Sequence, residues 1–282
     1  MKPRLSRLLP PMCAVGLVVG SGCATVPITG RRQLNLVSDQ EVLSASSSSY
    51  RSFMQGAKVS TDVGSSDQVA RVGRRIADAT ESYLRQNGLA KEVANFSWEF
   101  NLVRDDQINA FCMPGGKIVV YTGLMALVSS DDDLAVVLGH EVAHAVAKHS
   151  NERMSQEMVA NAGSGILSAA MSAGKASEGA TSVAQSVFGL GANLGVMLPY
   201  SRKHESEADY MGLVLMTMAG YNPDAAVSFW TKMASSGGKA PPELLSSHPS
   251  DSTRIAQIRA ALPDVKRRYS PASAARPAAS AR

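Results

Sequence analysis

Five residues near the middle of the chain, His140-Glu141-Val142-Ala143-His144, restrict its fold more than any other stretch. On a helix, positions four apart lie on one face, one turn from each other. His140 and His144 can therefore share one Zn²⁺ through nitrogen at about 2.0–2.1 Å. Glu141 stands beside them, where a carboxylate can take a proton from a zinc-activated water. The surrounding residues predict the helix this requires. Ser130 and Asp133 form a capping-box-like start, and Asp131 and Asp132 add negative charge to the first turn. Leu134, Val137, Leu138 and Val142 supply apolar positions at helical spacing. Gly139 costs a helix about 1 kcal/mol relative to Ala, so its place here predicts close approach by another element.

Two protein ligands leave a catalytic zinc incomplete; three are usual. His149 is not the third by helical geometry. It lies nine positions after His140, on the opposite face at about 100° per residue, and is expected on the solvated surface. The longer three-histidine pattern also fails, because Ala147 and Ser150 stand where it needs Gly and His. The better source is residues 200–212. Glu205 and Asp209 are four apart and share a helix face with Ala208 and Gly212, whose small size would let this helix press on the first. Glu207, about 200° from Glu205, cannot share that face. Glu205 is thus the expected ligand, and Asp209 the carboxylate that accepts the other ring N–H of a ligating histidine.

The chain resembles the M48 family of zinc metallopeptidases, and in particular its periplasmic, lipoprotein-type bacterial members that serve outer-membrane quality control. The matching residues are Asn109-Ala110-Phe111, Pro114-Gly115-Gly116, Tyr121-Thr122-Gly123-Leu124, the His140–His144 helix, Pro199-Tyr200-Ser201-Arg202, Glu205-Ser206-Glu207-Ala208-Asp209, His248-Pro249 with Arg254, and Thr29-Gly30-Arg31-Arg32-Gln33-Leu34. The resemblance implies an α+β fold: a mostly helical, zincin-like domain with a small β-sheet whose edge strand lines the active site. It implies one Zn²⁺ per chain on His140, His144 and Glu205. It also gives His248 and Arg254 a regulatory or oxyanion-stabilising role, with His248 able to occupy the open zinc position.

The amino terminus bears on location. Lys2, Arg4 and Arg7 precede an apolar run over 8–22, the layout of a signal peptide. Gly20-Ser21-Gly22-Cys23 resembles a lipobox, with Cys23 as the acylated first residue. Ala24 in place of Asp then points to the periplasmic face of the outer membrane, reached through a lipid anchor. Those three cations account for most of the formal net charge of +4. Residues 264–282 are net +4 and residues 23–263 net −3, so the basic balance does not indicate nucleic-acid binding. Of the three cysteines, only Cys112 remains outside the leader and the anchor. It reads as a small core residue on a strand rather than a nucleophile.

The expected organisation is a signal peptide over 1–22, an anchor segment and first helix over 23–60, the peptidase domain over 61–263, and a disordered tail over 264–282. Helical patterning covers 38–57 and 66–88, and strands are expected over 96–103 and 108–121, the second broken by the Pro114-Gly115-Gly116 turn. Asn109-Ala110-Phe111 is the candidate edge for an extended substrate. Residues 152–199 read as one or two helices with small-residue faces. The expected activity is zinc-dependent hydrolysis of peptide bonds in misfolded or stalled cell-envelope proteins, with Glu141 as general base. The competing reading is a zinc-stabilised, chaperone-like binding lipoprotein with little turnover.

Overall fold

A computed structural model of the chain describes residues 23–159, 201–236, 244–245, 248 and 252–270. The expected signal peptide, most of the small-residue helices over 152–199 and residues 271–282 lie outside the described residues; of the tail expected to be disordered from 264, residues 264–269 instead continue a helix. The chain enters through a short antiparallel hairpin of β1 (Cys23–Thr25) and β2 (Arg32–Leu34). Helix α1 (Asp39–Gly56) starts at a full capping box between Ser38 and Glu41, and α2 (Val63–Gln86) at an Asp62 cap. Both lie within a few residues of the patterned stretches. After a one-turn α3 (Ala90–Val93) come β3 (Glu99–Val103), β4 (Ala110–Met113) and β5 (Lys117–Tyr121).

These three strands form one sheet in the order β3-β5-β4. The β4–β5 hairpin is antiparallel and turns where expected, with Gly115 and Gly116 at φ 89° and 82°, a region open chiefly to glycine. β3 pairs with β5 in parallel, a crossover that alternation of residues does not reveal. β4 is left at the sheet edge. A short α4 (Thr122–Met125) leads to α5 (Asp131–Val146), then α6 (Arg202–Met218), α7 (Ala225–Ser235) and α8 (Ser252–Tyr269). The fold is α+β and mostly helical. Among the described residues no helix is long and apolar enough to cross a membrane.

Helix α5 is the axis of the core. Every residue from Leu134 to His144 is buried, so the helix is enclosed by its neighbours rather than resting on them with one stripe. Ser130 caps it by accepting the Asp133 N–H. Where α5 crosses α6 the backbones nearly touch, as Gly139 and Gly212 suggested. A Cβ on Gly139 would lie 2.9 Å from the Gly212 carbonyl oxygen, and one on Gly212 would lie 2.9 Å from the His140 amide nitrogen. Gly212→Ala should therefore destabilise the fold by about 1–3 kcal/mol despite alanine's better helix propensity. Urea unfolding of parent and variant measures this; a variant as stable as the parent would show that the crossing has slack.

Candidate metal centre

Helix α5 presents His140, Glu141 and His144 toward α6, which presents Glu205 and Asp209. His248 and Arg254 enter from the carboxyl-terminal side. All seven side chains are buried. One ligand atom from each of His140, His144, Glu205 and His248 falls in a group no more than 4.8 Å across. The neighbouring separations are close to uniform. His140 Nε2 stands 3.1 Å from His144 Nε2, 3.2 Å from His248 Nδ1 and 3.3 Å from Glu205 Oε2. Glu205 Oε1 lies 3.4 Å from His144 Nε2 and 3.0 Å from His248 Nδ1.

Four donors bound to Zn²⁺ at about 2.0–2.1 Å stand about 3.3–3.4 Å apart in a tetrahedron. Five of the six donor pairs, taking either Glu205 oxygen, lie within a few tenths of an ångström of that spacing, and the whole group lies within 4.8 Å. Three imidazoles and one carboxylate are also a donor set that suits zinc. Burial works to raise the Glu205 carboxyl, but the imidazoles of His248, His144 and His140 outweigh it and hold the group ionised, far below the usual carboxylate range. Burial, reinforced by the neighbouring imidazoles, keeps His144 neutral, its pKa well below the usual value. Both are the forms a metal ligand requires.

Glu141 lies beside the donors without being one of them. Its Oε2 accepts the Cys112 N–H at 3.1 Å, and its Oε1 is 3.5 Å from His248 Nε2. Burial raises its pKa against the opposing pull of His248 and His140. That hydrogen bond also fastens the edge strand to the motif helix. In the β4–β5 ladder Phe111 and Met113 face their partners, which leaves the backbone groups of Ala110 and Cys112 turned to the outer edge. Asn109 is buried just before the strand, and its carbonyl accepts the Tyr121 N–H. Phe111 packs edge-on against Phe53. Cys112 is buried in the core, as expected, with its thiol pushed well up by burial and by Glu141. Cys23 is exposed at the start of β1.

The ring of His140 turns its Nδ1 to Asp209 Oδ1 at 3.1 Å. Arg254 in turn holds Asp209 through Nε and Nη2, and its Nη1 donates to the His248 carbonyl at 3.2 Å. Arg254 thereby fixes both a ligand's partner and the backbone that carries His248. Its guanidinium lies over the ring of Trp230, 4.2 Å from the centroid, and that ring also meets His140 edge-on. No sequence signal singled out Trp230.

His149 corrects the expectation of a surface residue. It is fully buried, with Nδ1 2.9 Å from His144 Nδ1 and Nε2 3.0 Å from Glu207 Oε2. The cause is a break in helical phase. α5 ends at Val146, Lys148 takes φ 54°, and a new helical stretch begins at 149, so counting by α5's own rotation does not apply. Burial lowers the His149 pKa to about 4. Glu207 does point away from Glu205, yet it points into this second cluster. There it also receives the Thr29 hydroxyl and Arg31 Nε. Arg31 forms a further bidentate pair with Glu152.

The profile of peptidase family M48 matches residues 67–262. Mitochondrial metalloendopeptidase OMA1 of Schizosaccharomyces pombe is 37% identical over 176 residues, covering 62% of this chain and 49% of that protein. The protein of the same name from Arabidopsis thaliana is 38% identical over 170 residues, covering 60% and 33%. A beta-barrel assembly-enhancing protease of Yersinia pestis is 31% identical over 172 residues, covering 57% and 34%. The chain thus spans between a third and a half of the length of these curated relatives. They overturn the expected location. The relatives more similar to this chain are mitochondrial proteins and the bacterial one is more distant, so the amino-terminal resemblance to a lipid-anchored periplasmic protein does not place the chain at the outer membrane.

Proposed function

The chain belongs to peptidase family M48, and from that premise we propose that it is a zinc-dependent endopeptidase acting on misfolded or stalled proteins, those of a cell envelope among them. The observation that carries the reading is the buried group of four donors with an ionisable carboxylate, Glu141, beside it and a sheet edge within hydrogen-bond reach of that carboxylate. His140, His144 and Glu205 would hold the metal. Bound there, Zn²⁺ supplies Lewis-acid polarisation of the scissile carbonyl and brings the pKa of a water molecule down to about 7.

The chain's own groups do the rest. Glu141 takes the proton of the attacking water and passes it to the leaving amine, a role suited to a carboxyl whose pKa burial has raised. Asp209 and Arg254 hold the His140 ring in the orientation that presents Nε2. The outer edge of β4 at Ala110 offers main-chain N–H and C=O groups to an extended peptide. Asn109 and Phe111 set the position of that edge. A substrate read this way must be locally unfolded, which favours misfolded chains over native ones. One relative is named a beta-barrel assembly-enhancing protease, which fits a protein substrate.

The test is proteolysis of an unfolded protein by the purified full chain, with and without a chelator. Activity that survives complete removal of zinc would overturn the proposal; bound zinc with no turnover on any unfolded substrate would favour the binding-protein alternative. Within the donor set, Glu205→Ala should lower zinc occupancy, because it removes the one anionic donor of the group. Metal analysis of the purified variant decides this, and full occupancy would exclude Glu205 as a ligand.

A further inference from the structure

The two histidines of the motif turn their second ring nitrogens to different partners. For His140 the line is short: imidazole, Asp209 carboxylate, Arg254. For His144 it is one ring longer. We infer that His149 and Glu207 are positioning residues for His144: a line of hydrogen bonds from the Glu207 carboxylate, through the His149 ring, to His144 Nδ1 selects the nitrogen that His144 presents to the metal. The inference rests on the proposed function for the ligand role of His144.

The protons along the line can be placed in only one consistent way. A neutral His144 that binds metal through Nε2 carries its proton on Nδ1. That N–H points at His149 Nδ1, 2.9 Å away, which must then be the lone-pair nitrogen of a neutral ring. The His149 proton therefore sits on Nε2 and is donated to Glu207 Oε2 at 3.0 Å. Glu207 ends the line as a carboxylate, accepting from Arg31 Nε at 2.6 Å and from the Thr29 hydroxyl. Reversing any one proton puts N–H against N–H or leaves a buried carboxylate facing a lone pair.

The surroundings hold the line rigidly. The His149 ring stacks on His204, centroids 4.5 Å apart at 25°. His204 Nε2 lies 3.1 Å from Glu152 Oε2, and Glu152 closes the circuit by pairing with Arg31 at 2.6 Å. A ligand orientation on α5 is in this way tied to the amino-terminal hairpin, through a residue 176 positions from its partner.

The experiment measures zinc affinity of the full chain by competition with a chromogenic chelator. His149→Phe keeps the ring's bulk but accepts no proton, and should weaken zinc binding by about 10–100-fold. His149→Asn places an acceptor oxygen near the Nδ1 position and should recover most of the loss. Glu207→Gln should weaken binding in the parent yet add nothing in the His149→Phe background, because it acts through that ring. A packing role alone would give neither the rescue nor the lost additivity. Equal affinity for parent and His149→Phe overturns the inference, and so does a full additional effect of Glu207→Gln in the double variant. If urea unfolding of the zinc-free form shows that His149→Phe does not fold, Glu207→Gln and His149→Asn decide it: unchanged affinity for Glu207→Gln overturns the line. A parent that binds no zinc refutes the peptidase reading itself, an outcome separate from these.

Discussion

Glu141→Gln should give a chain that keeps its zinc and loses hydrolysis by on the order of 10²–10⁴-fold. The metal should stay because Glu141 is outside the four-donor group. The local structure should stay as well. Glu141 Oε2 only accepts a hydrogen bond from the Cys112 amide, and the oxygen of a glutamine can do the same. What the amide cannot do is take up a proton. No other described carboxylate can replace it. Glu205 is held ionised by the imidazoles around it, and Asp209 is committed to Arg254 and His140. Parallel assays of zinc content and of cleavage of an unfolded protein separate the outcomes. Equal rates for variant and parent would end the mechanism. Loss of zinc along with activity would instead make Glu141 a structural part of the metal site.

His248→Ala should raise the basal rate, on the order of tenfold, by removing an imidazole from the donor group. His248 Nδ1 lies within 3.2 Å of both Glu205 and His140, at the spacing of a fourth ligand rather than facing outward to a substrate. With that nitrogen in place the position a water needs is filled, and a substrate must displace it. Arg254 holds the segment by bonding the His248 carbonyl, so the resting arrangement is built rather than incidental. Had His248 been an oxyanion donor, its removal would lower kcat by about 10²–10³-fold. The two roles predict opposite signs, and one rate comparison separates them. An unchanged rate on several unfolded substrates would remove both.

The centre was legible where the chemistry follows the period of a single helix. His140 and His144 share one face of α5 with Glu141 beside them, and Glu205 and Asp209 share one face of α6. The small pair Gly139 and Gly212 marked their crossing in advance. Illegibility began where a helix ended. His149 was assigned to the surface by counting rotations through Val146, and a single left-handed residue, Lys148, made that count meaningless. Arg31 and Glu207 were missed for another reason. Ion pairs between residues far apart in sequence leave no local periodicity, and a charged residue read alone is ordinarily a solvated one. The parallel pairing of β3 with β5 is hidden for the same reason. The amino-terminal pattern was clear in itself, but it is a short, degenerate signal and the relatives carried more weight.

The spread of the centre along the chain has a consequence for synthesis. Thr29 and Arg31 meet Glu207, and His140 is completed by Asp209, which is held by Arg254. Contacts this distant close late in folding, after shorter-range ones have formed. A ribosome that has made residues 1–200 has delivered the whole His140–His144 motif and His149, but not Glu205, not Glu207 to anchor His149, and not Asp209 to orient His140. From residue 144 to residue 254 the nascent chain therefore carries the motif without the groups that complete the site, and the proposed activity would wait until the fold is nearly complete.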